Sequence, residues 1–263
     1  MPSIHFHRGA KRAREARAAL GLGLDGPLED ILDTIETRGG AHVLVLGLPD
    51  DVAGAYLKRP GIPLLVVCGT DFIARQRFTL AHEFGHFRMG HEAGVDKLES
   101  INGRDYSPRE VTANAFAAEF LAPKDAIRAW GAGRPWRVKV SLEDVVRLAC
   151  EYGVSAKMMR IRLSTAGVVA DEKLERRLDA EIDEGVHVEL IERLDLCQPG
   201  DSLARAAADL PRVAEEIRRS QLGDLLCGRT DLAGFSARLG CSPAQAQAML
   251  ATMGADELLA TTR

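Results

Sequence analysis

Two histidines four residues apart, with a glutamate directly after the first, restrict this chain more than any other feature: His82-Glu83-Phe84-Gly85-His86. On an α-helix, residues i and i+4 share one face, one turn apart. Two imidazoles placed that way can grip one zinc ion at about 2.0–2.1 Å each. The segment matches H-E-x-x-H, so Arg75–Met89 is expected to be a helix carrying His82 and His86 as metal ligands. Glu83 follows the first histidine and can reach a water on the zinc, which lowers that water's pKa; the carboxylate then acts as general base in peptide hydrolysis. The competing reading is a surface helix with two satisfied histidines. The amphipathic pattern, the small Gly85 beside the metal and the carboxylates downstream weigh against it.

Catalytic zinc takes a third protein ligand and keeps one open position. His91, Glu92, Asp96, Glu99, Asp105, Glu110 and Glu119 all follow within reach. His91 lies five residues past His86 and points off the metal face if the helix persists. Glu110 and Glu119 fall on the next expected helix, 109–121, which starts after the N-cap pair Ser107-Pro108 and ends at Pro123. Spacing alone does not choose among them.

Around this helix the pattern is that of an α+β domain. Arg8–Leu20 and Pro27–Arg38 have apolar positions at helical spacing, each closed by glycines. His42–Leu46, Ala53–Lys58 and Ile62–Cys68 read as strands of a small antiparallel or mixed sheet, with Arg59-Pro60-Gly61 as a turn. Residues 95–107 read as a loop. Beyond Ala132-Gly133-Arg134-Pro135 come Leu142–Tyr152, a Gly153-Val154-Ser155 turn and Ala156–Leu163, a helix-turn-helix-like pair. Residues 171–195 are helical, Gln198-Pro199-Gly200 is a break, and 201–260 hold three or four more helices. The expected division is 1–133, a zinc metallopeptidase domain; 134–168, the helix-turn-helix-like segment; and 169–263, a helical region of unknown role.

Bulk properties exclude several classes. Thirty-four basic against 38 acidic residues give a net charge of −4, so no whole-chain field draws the protein to nucleic acid or membrane. The five cysteines are odd in number and scattered without CxxC, which argues against a disulfide framework. The basic stretch Met1–Arg17 lacks the apolar core of a signal peptide, and a soluble cytoplasmic protein is expected.

Arg75–His86 also resembles the active-site helix of the ImmA/IrrE-type metallopeptidases. The segment Glu110-Val111-Thr112-Ala113-Asn114-Ala115-Phe116-Ala117-Ala118-Glu119-Phe120-Leu121-Ala122-Pro123 is similar to that family's second motif, E-x-x-A-N-x-F-A with a short apolar run and proline. The likeness covers roughly residues 8–165; Thr112, Ala122 and the position of His91 depart from the usual pattern. It implies a zincin-like fold with a small sheet, and it implies Glu110 as the third ligand. It further implies a regulatory protease whose protein substrate is a helix-turn-helix repressor, controlling a mobile element or a stress response.

Other residues carry weaker expectations. Asn114 is a candidate to orient a metal ligand, against an ordinary surface asparagine. Tyr106 is a candidate oxyanion donor, against an ordinary loop tyrosine. Ile62–Val67 could offer a sheet edge to an extended peptide, against a fully paired internal strand. Arg75 and Arg77 are expected to pair with acidic groups. Lys157, Arg160 and Arg162 on the second helix of 142–163 suggest DNA contact, but a packing or docking role fits better; Asp231–Met253 repeats the shape. Zinc is the expected metal, though two histidines and a glutamate also accept manganese. The alternative reading is a DNA-binding or repressor-binding regulator with a non-catalytic metal site.

Overall fold

The computed structural model describes residues 4–59, 62–134, 139–196 and 202–208, with residues 212, 224–225, 229–239, 242–244 and 246–247 as shorter pieces. The sequence-expected break Gln198-Pro199-Gly200 and much of Asp231–Met253 lie outside the described residues.

Helix α1 (Ile4–Ala19) lies along α5 (Pro108–Leu121). Their approach depends on Gly9, because a Cβ there would fall 2.1 Å from the Thr112 carbonyl oxygen. The stretch expected as one helix from Pro27 is instead a short α2 (Ile31–Thr34) running into a π-helical turn, Ile35–Gly39. It starts late because Asp30 caps it, accepting from the Asp33 amide at 2.9 Å. The Leu28 and Glu29 carbonyls ahead of it accept instead from the guanidinium of Arg77.

Four strands form one sheet in the order β1-β3-β2-β4: β1 is His42–Leu46, β2 Val52–Arg59, β3 Ile62–Cys68 and β4 Gly94–Lys97. The sheet is mixed rather than wholly antiparallel, since β1 runs parallel to β3, with Leu44 opposite Val66. Strand β3 is therefore internal, which removes it as a docking edge. Its unbroken apolar run has a physical reason, since both faces are buried. Val43, Val45, Leu65 and Val67 face the helices, whereas Leu44, Leu46, Leu64 and Val66 pack against Leu225, Phe235 and Ala246 from the C-terminal region. Arg212 pairs with Val45 through two backbone hydrogen bonds of 2.8 Å and covers the outer edge of β1.

Helix α3 (Ile73–Met89) crosses the inner face of the sheet and packs on α5. Gly90, at φ +69°, closes it by turning its amide back to the His86 and Phe87 carbonyls. The segment expected as a loop contains β4 and a single turn, α4 (Leu98–Ile101). After α5 come α6 (Lys124–Ala132), α7 (Leu142–Tyr152) and α8 (Ala156–Thr165), then α9 (Glu172–Asp183), α10 (Val186–Arg193) and α11 (Ser202–Ala208). A capping box, Ser141 with Asp144, starts α7, and Gly153 at φ +62° makes the turn to α8. Val145, Val146, Met159 and Leu163 share one hydrophobic cluster with Phe84, Phe116 and Phe120, so the α7–α8 pair packs on the same core as the metal helix. Among the described residues, no helix is long and apolar enough to cross a membrane.

Candidate metal centre

Helix α3 presents His82 and His86 to its buried side, with both side chains fully enclosed. Their Nε2 atoms stand 2.9 Å apart. Glu110, in the first turn of α5, brings Oε2 to 3.1 Å from His82 Nε2 and 3.6 Å from His86 Nε2. Asp96 of β4 places Oδ2 3.5 Å from each imidazole. A regular tetrahedron with arms of about 2.0–2.1 Å has edges of about 3.4 Å. The donors His82, His86, Asp96 and Glu110 thus have the spacing that one small cation would impose, and all four are buried.

Side chains around these donors hold their rings in place. Asn114, one turn past Glu110, donates from Nδ2 to the Ser100 carbonyl at 2.7 Å. Its Oδ1 therefore faces His82 Nδ1 at 3.0 Å and accepts that nitrogen's hydrogen. In the neutral ring, His82 Nε2 then turns its lone pair toward the centre. On the other side, Arg109 Nε lies 3.1 Å from His86 Nδ1 and 3.2 Å from Glu110 Oε1. Gly94 makes room for that guanidinium, since a Cβ there would stand 2.7 Å from one of its nitrogens. His91 Nδ1 sits 2.9 Å from His86 Nδ1 and so supports the ring from behind, outside the donor group.

The buried carboxylates and imidazoles shift one another's protonation. Burial works against a charged His82, but the Asp96 and Glu110 carboxylates outweigh it and hold its pKa up at about 10. Burial lowers His86, and the neighbouring His82 adds to that. Burial would raise Asp96 and Glu110, but the imidazoles hold both below the ordinary carboxylate range. The proton on His82 occupies the charge position that a metal ion would take.

Glu83 is fully buried next to this group. Neither carboxylate oxygen has a hydrogen-bond partner among the described residues. Burial first, then the negative charge of Asp96 and Glu110, pushes its pKa well above the usual value. A buried carboxyl without a donor is costly, and such a group marks a site built for something other than stability. Gly54 on β2 forms the floor: a Cβ there would meet Thr79 at 2.6 Å and Glu83 Oε1 at 3.0 Å.

A cleft of about 510 Å³ opens beside the donors, lined in part by Val95, Asp96, Tyr106, Arg109 and Glu110. Tyr106 is on its rim, 83% exposed. Glu99 and Asp105 also line it, outside the donor group. Glu119 lies elsewhere on α5, buried and paired with Arg162 and, at 3.1 Å, with Arg14. Arg75 pairs with Asp71 at 3.0 Å as expected. Arg77 is fully buried and donates to the Leu28, Glu29 and Gly153 carbonyls.

Asp96 is the donor that sequence reasoning left unranked among seven candidates. Its signal was the alternation Gly94-Val95-Asp96-Lys97, in which a strand would send Val95 and Asp96 to opposite faces. Val95 is 61% exposed and Asp96 buried.

Fold and site together define an α+β domain with a candidate metal centre, in which a helix carrying H-E-x-x-H is laid across a small mixed sheet. Residues 41–164 match the family model of the IrrE N-terminal-like domain, Peptidase M78. No curated protein matches the chain.

Proposed function

We propose that this protein is a zinc-dependent endopeptidase of narrow specificity, with His82, His86 and Glu110 holding the metal and Glu83 as general base. The observation that carries this reading is the convergence of four buried donor atoms beside a buried carboxyl that has no other partner. Zinc in such a site supplies Lewis-acid polarisation of water and of the scissile carbonyl. Glu83 then accepts the proton at a carboxylate oxygen and returns it to the departing amine nitrogen. Asn114, Arg109 and His91 keep the imidazoles in register, and Tyr106 would serve as an oxyanion donor once a substrate covers the cleft. Manganese fits the same oxygen and nitrogen donors.

Substrate choice follows from the cleft and the sheet. Strand β4 ends the sheet order, and its exposed Val95 lies along the cleft, so an extended peptide would add to β4 rather than to β3. We propose a helix-turn-helix repressor as that substrate, in a regulatory or stress-response setting in the cytoplasm. A DNA-binding role has less support. Lys157 pairs with Asp179 at 2.9 Å, Arg160 with Asp179 at 2.7 Å, and Arg162 is buried against Glu119, so the α8 cations are engaged by carboxylates of this chain.

The test uses metal-loaded full chain, wild type and Glu83→Gln, incubated with the helix-turn-helix repressor encoded nearest to its gene and with casein. Mass spectrometry should find cleavage at one repressor bond with wild type and none with Glu83→Gln. Binding of repressor without cleavage by either form would instead favour the non-catalytic regulator.

A further inference from the structure

We infer that Asp96 is a fourth protein donor to the metal, and that in this conformation it holds the peptidase shut. The inference rests on the metallopeptidase reading and adds a regulated state to it. Asp96 Oδ2 lies 3.5 Å from both His82 Nε2 and His86 Nε2, as near to His86 as Glu110 is at 3.6 Å. The side chain is 5% exposed, and Oδ2 has no hydrogen-bond partner among the described residues. An anionic oxygen so enclosed needs a cation beside it to be tolerable, either the proton on His82 or a metal ion among the four donors.

Position explains the consequence. Asp96 pairs across the sheet with Gly54, the residue that forms the floor beneath Glu83. The pairing of β2 with β4 slips between Val52 and Gly54, where two steps on β2 match one on β4. Such bulges re-aim a side chain, and here the residue after Val95 is turned into the donor group. A fourth protein donor takes the position at which a water would otherwise bind for Glu83 to take its proton. Zinc sites closed by four protein donors are structural, whereas catalytic ones keep a position open. With Asp96 in place the site is of the closed kind.

Opening it disturbs little of the fold. Strand β4 has four residues at the end of the sheet, and its Lys97–Asp51 ion pair, at 3.1 Å, is exposed on both sides. Rotation of the Asp96 side chain, or a shift of β4 when a peptide pairs along it, frees the position without touching His82, His86 or Glu110.

The experiment is cobalt(II) titration of the full chain, wild type, Asp96→Asn and Asp96→Ala, read by visible ligand-field absorption with and without azide. Wild type should bind one cobalt with bands that azide leaves unchanged. Both variants should bind roughly tenfold or more weakly, with bands that shift on azide addition because a position has opened. At saturating metal both should also cut peptide faster than wild type. Equal affinity across the three proteins, or wild-type bands that shift with azide as the variants' do, overturns Asp96 as a donor and leaves the metallopeptidase reading standing. A wild type that binds no cobalt overturns both.

Discussion

Asn114 holds His82 in one tautomer: its amide nitrogen is committed to the Ser100 carbonyl, so its oxygen receives the His82 Nδ1 hydrogen at 3.0 Å. This contact joins α5 and α4 to the metal helix through one side chain. Partners of this kind usually contribute 10–100-fold to metal affinity. Asn114→Ala should weaken zinc binding by about that factor, measured by competition with a chromophoric chelator. Asn114→Asp, which keeps the acceptor, should recover most of the loss. Equal affinities for wild type and Asn114→Ala would show that the ring is held by other means.

The buried pair Glu119–Arg162 ties α8 to α5, with Arg14 of α1 joining at 3.1 Å. Arg162 also donates to the Ala122 carbonyl at 2.6 Å. Removing one partner of a buried pair leaves the other charge uncompensated, at a cost of about 3–5 kcal/mol. Arg162→Met should destabilise the protein by about 3 kcal/mol in urea unfolding. The double variant Arg162→Met with Glu119→Leu should regain much of that. If Arg162→Met were neutral, α7 and α8 would not be part of the cooperative unit.

Much of this could be read from residues alone, and the failures share a cause. The H-E-x-x-H helix was legible because its spacing is local, four residues on one face. Glu110 was not, since its distance from His82 depends on how α5 crosses α3; only the likeness of Glu110–Pro123 to a second motif pointed to it. Asp96 was lost in an expected loop, because β4 is four residues long and is a strand only through its pairing with β2. A mixed sheet was among the expectations, but which strands run parallel was not legible, since β3 inserts between two strands that precede it in the chain. The Arg77 contacts with carbonyls 48, 49 and 76 residues away could not be read from sequence, since a carbonyl leaves no mark in it.

Asp30 links the start of the domain to α11. It caps α2 and accepts from both the hydroxyl, at 2.7 Å, and the amide, at 2.9 Å, of Ser202. Burial would raise its pKa, but the Ser202 and Asp33 hydrogen bonds outweigh that and lower it below 3.8. A depressed carboxylate contributes stability that is complete above its unfolded pKa and is lost as pH falls through the folded value. Asp30→Ala should therefore cost about 1–2 kcal/mol at neutral pH. The gap from wild type should narrow steadily below about pH 4. Urea midpoints at pH 7 and pH 3 decide this; a gap independent of pH would mean that the charge contributes nothing.

The central claim is that His82, His86 and Glu110 form one metal centre, and metal stoichiometry by native mass spectrometry tests it most directly. Wild type dialysed against limiting zinc should carry one ion per chain. His82→Ala and Glu110→Ala should carry none at the same free zinc, and Glu83→Gln should keep its ion because Glu83 is the base and not a donor. Zinc retained by Glu110→Ala at the wild-type level, or absent from wild type, would contradict the account.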